Sequence, residues 1–261
     1  MTRVHTKRRP DAPPGFFEAE AAGLRWLAEA GGAAVVAVLA VERGRIDLEA
    51  LDIGRPTAAH ARAFGAALAA THDAGAAAFG VPPGEWDGPT FIGQQPLPTR
   101  PEGWPTWGAF YARQRVLPYA ERAAKRGSIG GTDLRIVQEA CARLAGGDLD
   151  DGDPPARIHG DLWNGNLQWT DAGAVLIDPA ASGGHRETDL AMLALFGCPF
   201  LAEVYASYDA ARPLRPGWQD RLGLHQLHPL AVHAASHGPS YAAPLVAAAT
   251  SVLHLPAAAA G

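Results

Sequence analysis

Cysteine is almost absent from this 261-residue chain: only Cys141 and Cys198 occur, at no paired spacing. That excludes a disulfide framework and a cysteine-built zinc site, and it fits a reducing compartment. Lysine is as rare, with Lys7 and Lys125 the only two, so arginine carries most of the positive charge. No basic stripe accompanies the net charge of −5, and nucleic acid is therefore not an expected partner. The short Lys7-Arg8-Arg9 cluster reads as solvated surface or a local anion contact. Long apolar runs are missing too. The longest, 30–41, falls short of the roughly 20 residues that span a bilayer. No apolar core follows the first arginines as it would in a signal peptide. The expectation is a cytoplasmic protein without membrane contact. What is present, 48% hydrophobic and 19% charged residues, suits a globular chain of one large domain or two lobes.

Periodicity then divides the chain. Residues 4–7 read as the end of a strand. Phe17, Ala21, Leu24 and Ala28 recur at helical spacing, which predicts an amphipathic helix over 16–30. The valine-rich stretch 34–41 reads as one buried strand, and 46–51 as another. Gly54-Arg55-Pro56-Thr57 interrupts the pattern and marks a boundary, with Thr57 as cap of the next helix. The Pro- and Gly-dense segment 80–105 reads as an ordered surface loop. Helices are predicted over 107–119 and 132–144. A hairpin follows, with strands 167–169 and 174–177 around a turn at 170–173. Everything after Glu187 reads as helical.

The chemistry concentrates in HGDLWNGNLQWTDAGAVLIDPAASGGHRETD, residues 159–189. Phosphoryl transfer needs a carboxylate to orient an acceptor hydroxyl and hard oxygen ligands for a divalent metal on the ATP phosphates. Asp161 precedes Asn166 by five residues, within the reach of one loop. The hairpin folds Asp178 back toward Asn166. A base, Asp161, and two oxygen ligands, Asn166 and Asp178, would then face one cleft. Each of the three alone is an ordinary turn or cap residue. Together, with the hairpin between them, they parallel the kinase layout H-R-D-x-x-x-x-N followed by D-F-G. His159 reads as a residue that orients this loop. Asp189, at a helix start, reads as structural. Trp163, between base and ligand, suits either a sugar face or core packing.

The same segment resembles the fructosamine kinase (ketosamine-3-kinase) family. HGDLWNGN, IDPA and Gly184-His185-Arg186-Glu187 with Asp189-Leu190-Ala191-Met192 carry the likeness. The helix Phe110-Tyr111-Ala112-Arg113-Gln114-Arg115 and the stretch from Leu224 through His233 extend it over nearly the whole chain. The resemblance implies an α+β, two-lobed protein-kinase-like fold: a partial N-lobe over 1–53 with a hinge near 48–53, and a mainly helical C-lobe over 54–261. It implies ATP and Mg2+ as cofactors and a small-molecule or protein-bound ketosamine as substrate. Phosphate would go to the sugar 3-hydroxyl, giving an unstable adduct and hence deglycation. It puts Lys7 on the α/β-phosphates with Glu20 as its partner, and Glu49 and Leu51 in the adenine-binding hinge. His185, Arg186 and Glu187 would line the acceptor pocket.

The strands and glycine-rich turn that family members carry ahead of the lysine strand have no counterpart before Lys7. A truncated N-lobe sheet is therefore expected, as a monomer or as a homodimer covering the exposed edge. Other readings are a kinase of another hydroxylated amine such as an aminoglycoside, a non-catalytic ligand-binding pseudokinase, and a metal-dependent hydrolase built on His159, Asp161 and Asp178. The last leaves Asn166 and Lys7 without a role.

Overall fold

The computed structural model describes residues 3–258. β1 (Val4–Arg8) leads through a loop into α1 (Phe16–Ala28), followed by β2 (Ala34–Val35), β3 (Val38–Glu42) and β4 (Arg45–Glu49). α2 (Ala58–Asp73) precedes a long loop that contains a small hairpin, β5 (Phe91–Ile92) and β6 (Gln95–Pro96). α3 (Trp107–Phe110) continues as a π-helical stretch (Tyr111–Val116) into α4 (Leu117–Lys125), and α5 (Gly131–Ala145) comes next. β7 (Ala156–Ile158), β8 (Leu167–Thr170), β9 (Gly173–Leu176) and β10 (Ser182–Gly184) frame the motif segment. α6 (Arg186–Phe196), α7 (Leu201–Ala211), α8 (Leu222–His237) and α9 (Ala242–His254) follow. Among the described residues no helix is long and apolar enough to cross a membrane.

The chain divides into two compact units, 3–103 with Pro155–Leu214 and Trp104–Pro154 with 215–258. The lobe boundary expected at 53/54 lies within the first unit. There β2 pairs in parallel with β9, and Ile53 bridges Thr170, joining the early chain to the motif hairpin.

In the first unit β1, β4 and β3 form an antiparallel sheet in which Lys7 stands opposite Ile46. The helical spacing of α1 lays Phe17, Ala21 and Leu24 against Val36, Ile46 and Leu48, all buried. Each large side chain in such a cluster contributes roughly 1.5–3 kcal/mol through removal from water. This burial presses α1 onto the sheet and so sets Glu20 beside Lys7. The predicted cap holds: Thr57 Oγ1 accepts the His60 N–H at 3.1 Å.

Two expectations change. The stretch 34–41 is two strands, because the chain hands its hydrogen bonds from one sheet to another. Val36 N–H goes to Leu176 O at 3.1 Å, whereas Ala37 O accepts from Glu49 N–H at 2.9 Å. The loop 80–105 carries the β5–β6 hairpin. Residues 182–184, for which the spacing gave no element, pair antiparallel with β7.

In the second unit Pro229 sits inside α8 and has no N–H to give the carbonyl of His225, four residues earlier. The Tyr111 hydroxyl donates to that carbonyl at 2.6 Å and accepts the His228 N–H at 3.1 Å. Trp107 stacks on Tyr111 with ring centroids 4.9 Å apart.

Candidate active site

The site is assembled from two local devices and one long-range pair. The first device is the loop between β7 and β8. Gly160 has φ +79°, and a Cβ there would collide with the Ala180 carbonyl. Glycine therefore lets the loop turn tightly enough for Asp161 to face inward. His159 is buried. Its Nδ1 accepts the Asp161 N–H at 3.2 Å, so the ring proton sits on Nε2 and is donated to Ile177 O at 2.9 Å. That one side chain ties the loop to the residue before Asp178.

The second device is the hairpin. β8 and β9 pair with Leu167 opposite Leu176. The ladder continues one step, with Ile177 N–H donated to Asn166 O at 3.1 Å. Asn166 and Asp178 are thereby neighbours. Asp178 has φ +53°, the left-handed region that costs most L-residues energy and that aspartate tolerates better than most. The Asn166 amide nitrogen donates to Asp161 O at 2.8 Å and Asp161 Oδ2 at 3.0 Å. Its amide oxygen accepts nothing among the described residues and remains available.

The long-range pair comes from β1. Lys7 Nζ bonds Glu20 Oε1 at 2.8 Å and also contacts Asp178 Oδ1. Burial works against the Lys7 charge, but the two carboxylates outweigh it and hold the ammonium above its usual range. Burial pushes Glu20 upward against the pull of Lys7. Burial also pushes the Asp161 carboxyl up to about 7. The Asn166 hydrogen bond opposes that rise, and the charges of Asp178 and Asp189 add to it.

Behind the loop lies a support that spacing did not reveal. Asp189 accepts the backbone N–H groups of His159 at 2.7 Å and Gly160 at 2.9 Å. His72 Nε2 reaches the same carboxylate at 3.1 Å, and His72 Nδ1 meets the Tyr208 hydroxyl at 2.7 Å. Burial alone would push Asp189 up; the His72 bond, the nearby imidazoles and the Gly160 N–H together hold it below its ordinary value. Asp189 thus braces the loop that carries Asp161 rather than capping α6.

Two cavities meet at Lys7 and Asp178. The front one, about 410 Å³, includes Lys7, Glu20, Asp161, Asn166, Asp178 and Trp163. The rear one, about 330 Å³, runs past Val36, Leu48, Glu49, Leu51 and Ile177. Glu49 and Leu51, expected in the adenine-binding hinge, line this rear cavity. Trp163 is 40% exposed and meets Phe196 edge to face at 6.0 Å. The acceptor trio is a correction. His185, Arg186 and Glu187 are buried at the start of α6. His185 Nδ1 caps the helix by accepting the Glu187 N–H at 3.2 Å, and Arg186 holds the carbonyls of Arg212 and Pro213. Arg9, Phe16, Phe91 and Gln94 also line the front cavity. Only the Arg9 cluster had drawn notice in the sequence.

A sequence model described as fructosamine kinase matches residues 2–254. A protein of Lactiplantibacillus plantarum named probable ketoamine kinase is 33% identical over 92% of this chain and 84% of its own length. A solved structure from Thermobifida fusca, described as a candidate fructosamine-3-kinase, is 46% identical with a TM-score of 0.90. It covers 97% of this chain and 86% of its own. An aminoglycoside phosphotransferase solved with ADP and hygromycin B, 12% identical with a TM-score of 0.57, shares the fold over 90% of this chain and 82% of its own. The architecture is that of the kinase-like phosphotransferases.

Proposed function

Because the chain belongs to the fructosamine kinase family, we propose that it phosphorylates ketosamines, sugars joined at carbon 1 to an amine, with ATP as donor. The observation that carries this reading is the convergence of Asp161, Asn166, Asp178 and the Lys7–Glu20 pair on one cavity. Adenine fits the rear cavity between Val36 and Ile177, with Glu49 and Leu51 along its edge. Lys7 meets the α- and β-phosphates, and Glu20 keeps its ammonium aimed there.

Asn166 and Asp178 suit magnesium. Both offer hard oxygen donors, and the Asn166 nitrogen is already committed to Asp161, which turns its oxygen toward a cation. When bound, the metal would neutralise charge on the phosphate oxygens. Asp161 accepts the proton of the acceptor hydroxyl as the new O–P bond forms and the bond to the ADP leaving oxygen breaks. Its carboxyl, raised to about 7, is suited to hold that proton near neutral pH. Trp163 offers an apolar face to the sugar ring. The relatives named ketosamine-3-kinase and fructosamine-3-kinase support the sugar 3-hydroxyl as acceptor, and deglycation is the role that this chemistry would serve.

The test is mass spectrometry of fructosyl-lysine and ribulosyl-lysine incubated with ATP, magnesium and this chain, with Asp161→Asn as control. Gain of one phosphate, absent in the control, is expected. No gain on either acceptor would remove the ketosamine reading.

A further inference from the structure

Arg9 is a cation in the active-site cavity that the reaction described above does not use. Its backbone continues β1, where alternate residues share a face about 6.7 Å apart. His5, Lys7 and Arg9 are thus laid out in sequence along the site. His5 lines the rear cavity, Lys7 lines both, and Arg9 lines only the front. Beyond the phosphate-facing lysine, this row reaches the space where the acceptor must enter.

The Arg9 guanidinium lies over the Phe16 ring, 5.0 Å from its centroid, and Phe16 in turn meets Phe91 of the β5–β6 hairpin at 5.1 Å. The stack restricts the long arginine side chain before any ligand arrives, which lowers the entropy lost on binding. Its carboxylate neighbour is Asp11, whose Oδ1 is 3.9 Å from Nε and whose side chain is 84% exposed. That distance is beyond a hydrogen bond. Among the described residues the guanidinium donors therefore have no acceptor, while Lys7 is engaged by Glu20 and Asp178.

We propose that Arg9 is a specificity-determining residue that binds a carboxylate on the amine side of the acceptor. The favoured substrates are then ketosamines of free amino acids linked through their α-nitrogen, where the carboxylate sits two bonds from that nitrogen. The planar fork of arginine matches a carboxylate, and aromatic neighbours keep water from competing. The nucleotide is the less suitable partner, because Phe16 and Phe91 add no donors of the kind that phosphate oxygens gather. This inference rests on the ketosamine kinase reading.

The experiment compares fructosyl-glycine with fructosyl-glycinamide, its neutral counterpart, as acceptors for wild type, Arg9→Gln and Arg9→Lys. The KM for ATP is measured in each. Wild type is expected to prefer the acid by roughly tenfold to a hundredfold in kcat/KM, the range of a charge-assisted hydrogen bond. Arg9→Gln is expected to collapse that ratio, and Arg9→Lys to restore part of it. Matching thermal melts establish that the variants are folded. Equal use of both acceptors by wild type overturns the assignment while leaving the kinase reading intact. So does a ratio that survives Arg9→Gln, or a raised KM for ATP in Arg9→Gln with the ratio unchanged. Failure of wild type on both glycine acceptors while fructosyl-lysine is phosphorylated overturns this inference alone; failure on fructosyl-lysine and ribulosyl-lysine as well removes the kinase reading, and this inference with it.

Discussion

Asp189 reaches back thirty positions to accept the His159 N–H at 2.7 Å, and its second oxygen takes the N–H of Gly160. One carboxylate therefore holds the backbone that aims Asp161. Asp189→Asn keeps the shape but leaves one N–H facing an amide nitrogen. Because bonds to charged groups contribute about 1.5–3 kcal/mol, urea unfolding is expected to show a loss of that order. A drop in kcat should accompany it. A variant with wild-type stability and kcat would remove the bracing role.

Asp161→Asn deletes the proposed proton acceptor and little else. The expected loss in kcat is about 10²- to 10⁴-fold, the usual contribution of a general base. ADP affinity, measured by calorimetry, should stay near that of wild type. Retained turnover would assign the base elsewhere.

Gly160→Ala combines a left-handed φ of +79° with a collision against Ala180 O. The conformational part alone costs roughly 1–2 kcal/mol. Chemical denaturation should register at least that loss, and kcat should fall with it as Asp161 is displaced. Normal activity in this variant would mean that the loop has room to relax.

Acid is expected to weaken the second unit through His228. Burial, aided by the charge of Arg115, pushes this imidazole down to about 3, while its Nδ1–H is donated to Arg115 O at 2.9 Å. An unfolded histidine binds its proton near pH 6.5. Between those values the unfolded chain carries the extra proton, so stability is full above about pH 6.5 and is lost as pH falls toward 3. The slope from one such proton is about 1.4 kcal/mol per pH unit. Burial lowers His159 and His233 as well, with the same sign. Denaturation midpoints taken from pH 7 to 5 should show His228→Asn losing about one proton of the wild-type dependence. An unchanged slope would exclude His228 as a source.

Much of the site was readable because its parts are local. The five-residue interval from Asp161 to Asn166, the hairpin that returns to Asp178 and the capping Thr57 depend on turn chemistry and strand alternation within a few residues of each other. The resemblance to a known family supplied Lys7, Glu20, Glu49 and Leu51. His185, Arg186 and Glu187 went astray for a physical reason: a polar cluster beside a catalytic loop looks the same in sequence whether it faces ligand or caps a buried helix. The segment 80–105 read only as an ordered surface loop because Pro and Gly density reports turns, not what the turns enclose.

By itself, then, the sequence determined the loop that carries Asp161 and Asn166, the hairpin that returns to Asp178 and the amphipathic face of α1. Those follow from hydrogen bonds and periodicities that close within one or two elements. Tertiary structure alone decided which distant groups meet them. Lys7 finds Asp178 across 171 positions, His72 finds Asp189 across 117, and Phe91 arrives from the far loop to meet Phe16 beside Arg9. Such pairings are set by how buried faces pack, and packing depends on the whole set of apolar surfaces rather than on the spacing within any one segment.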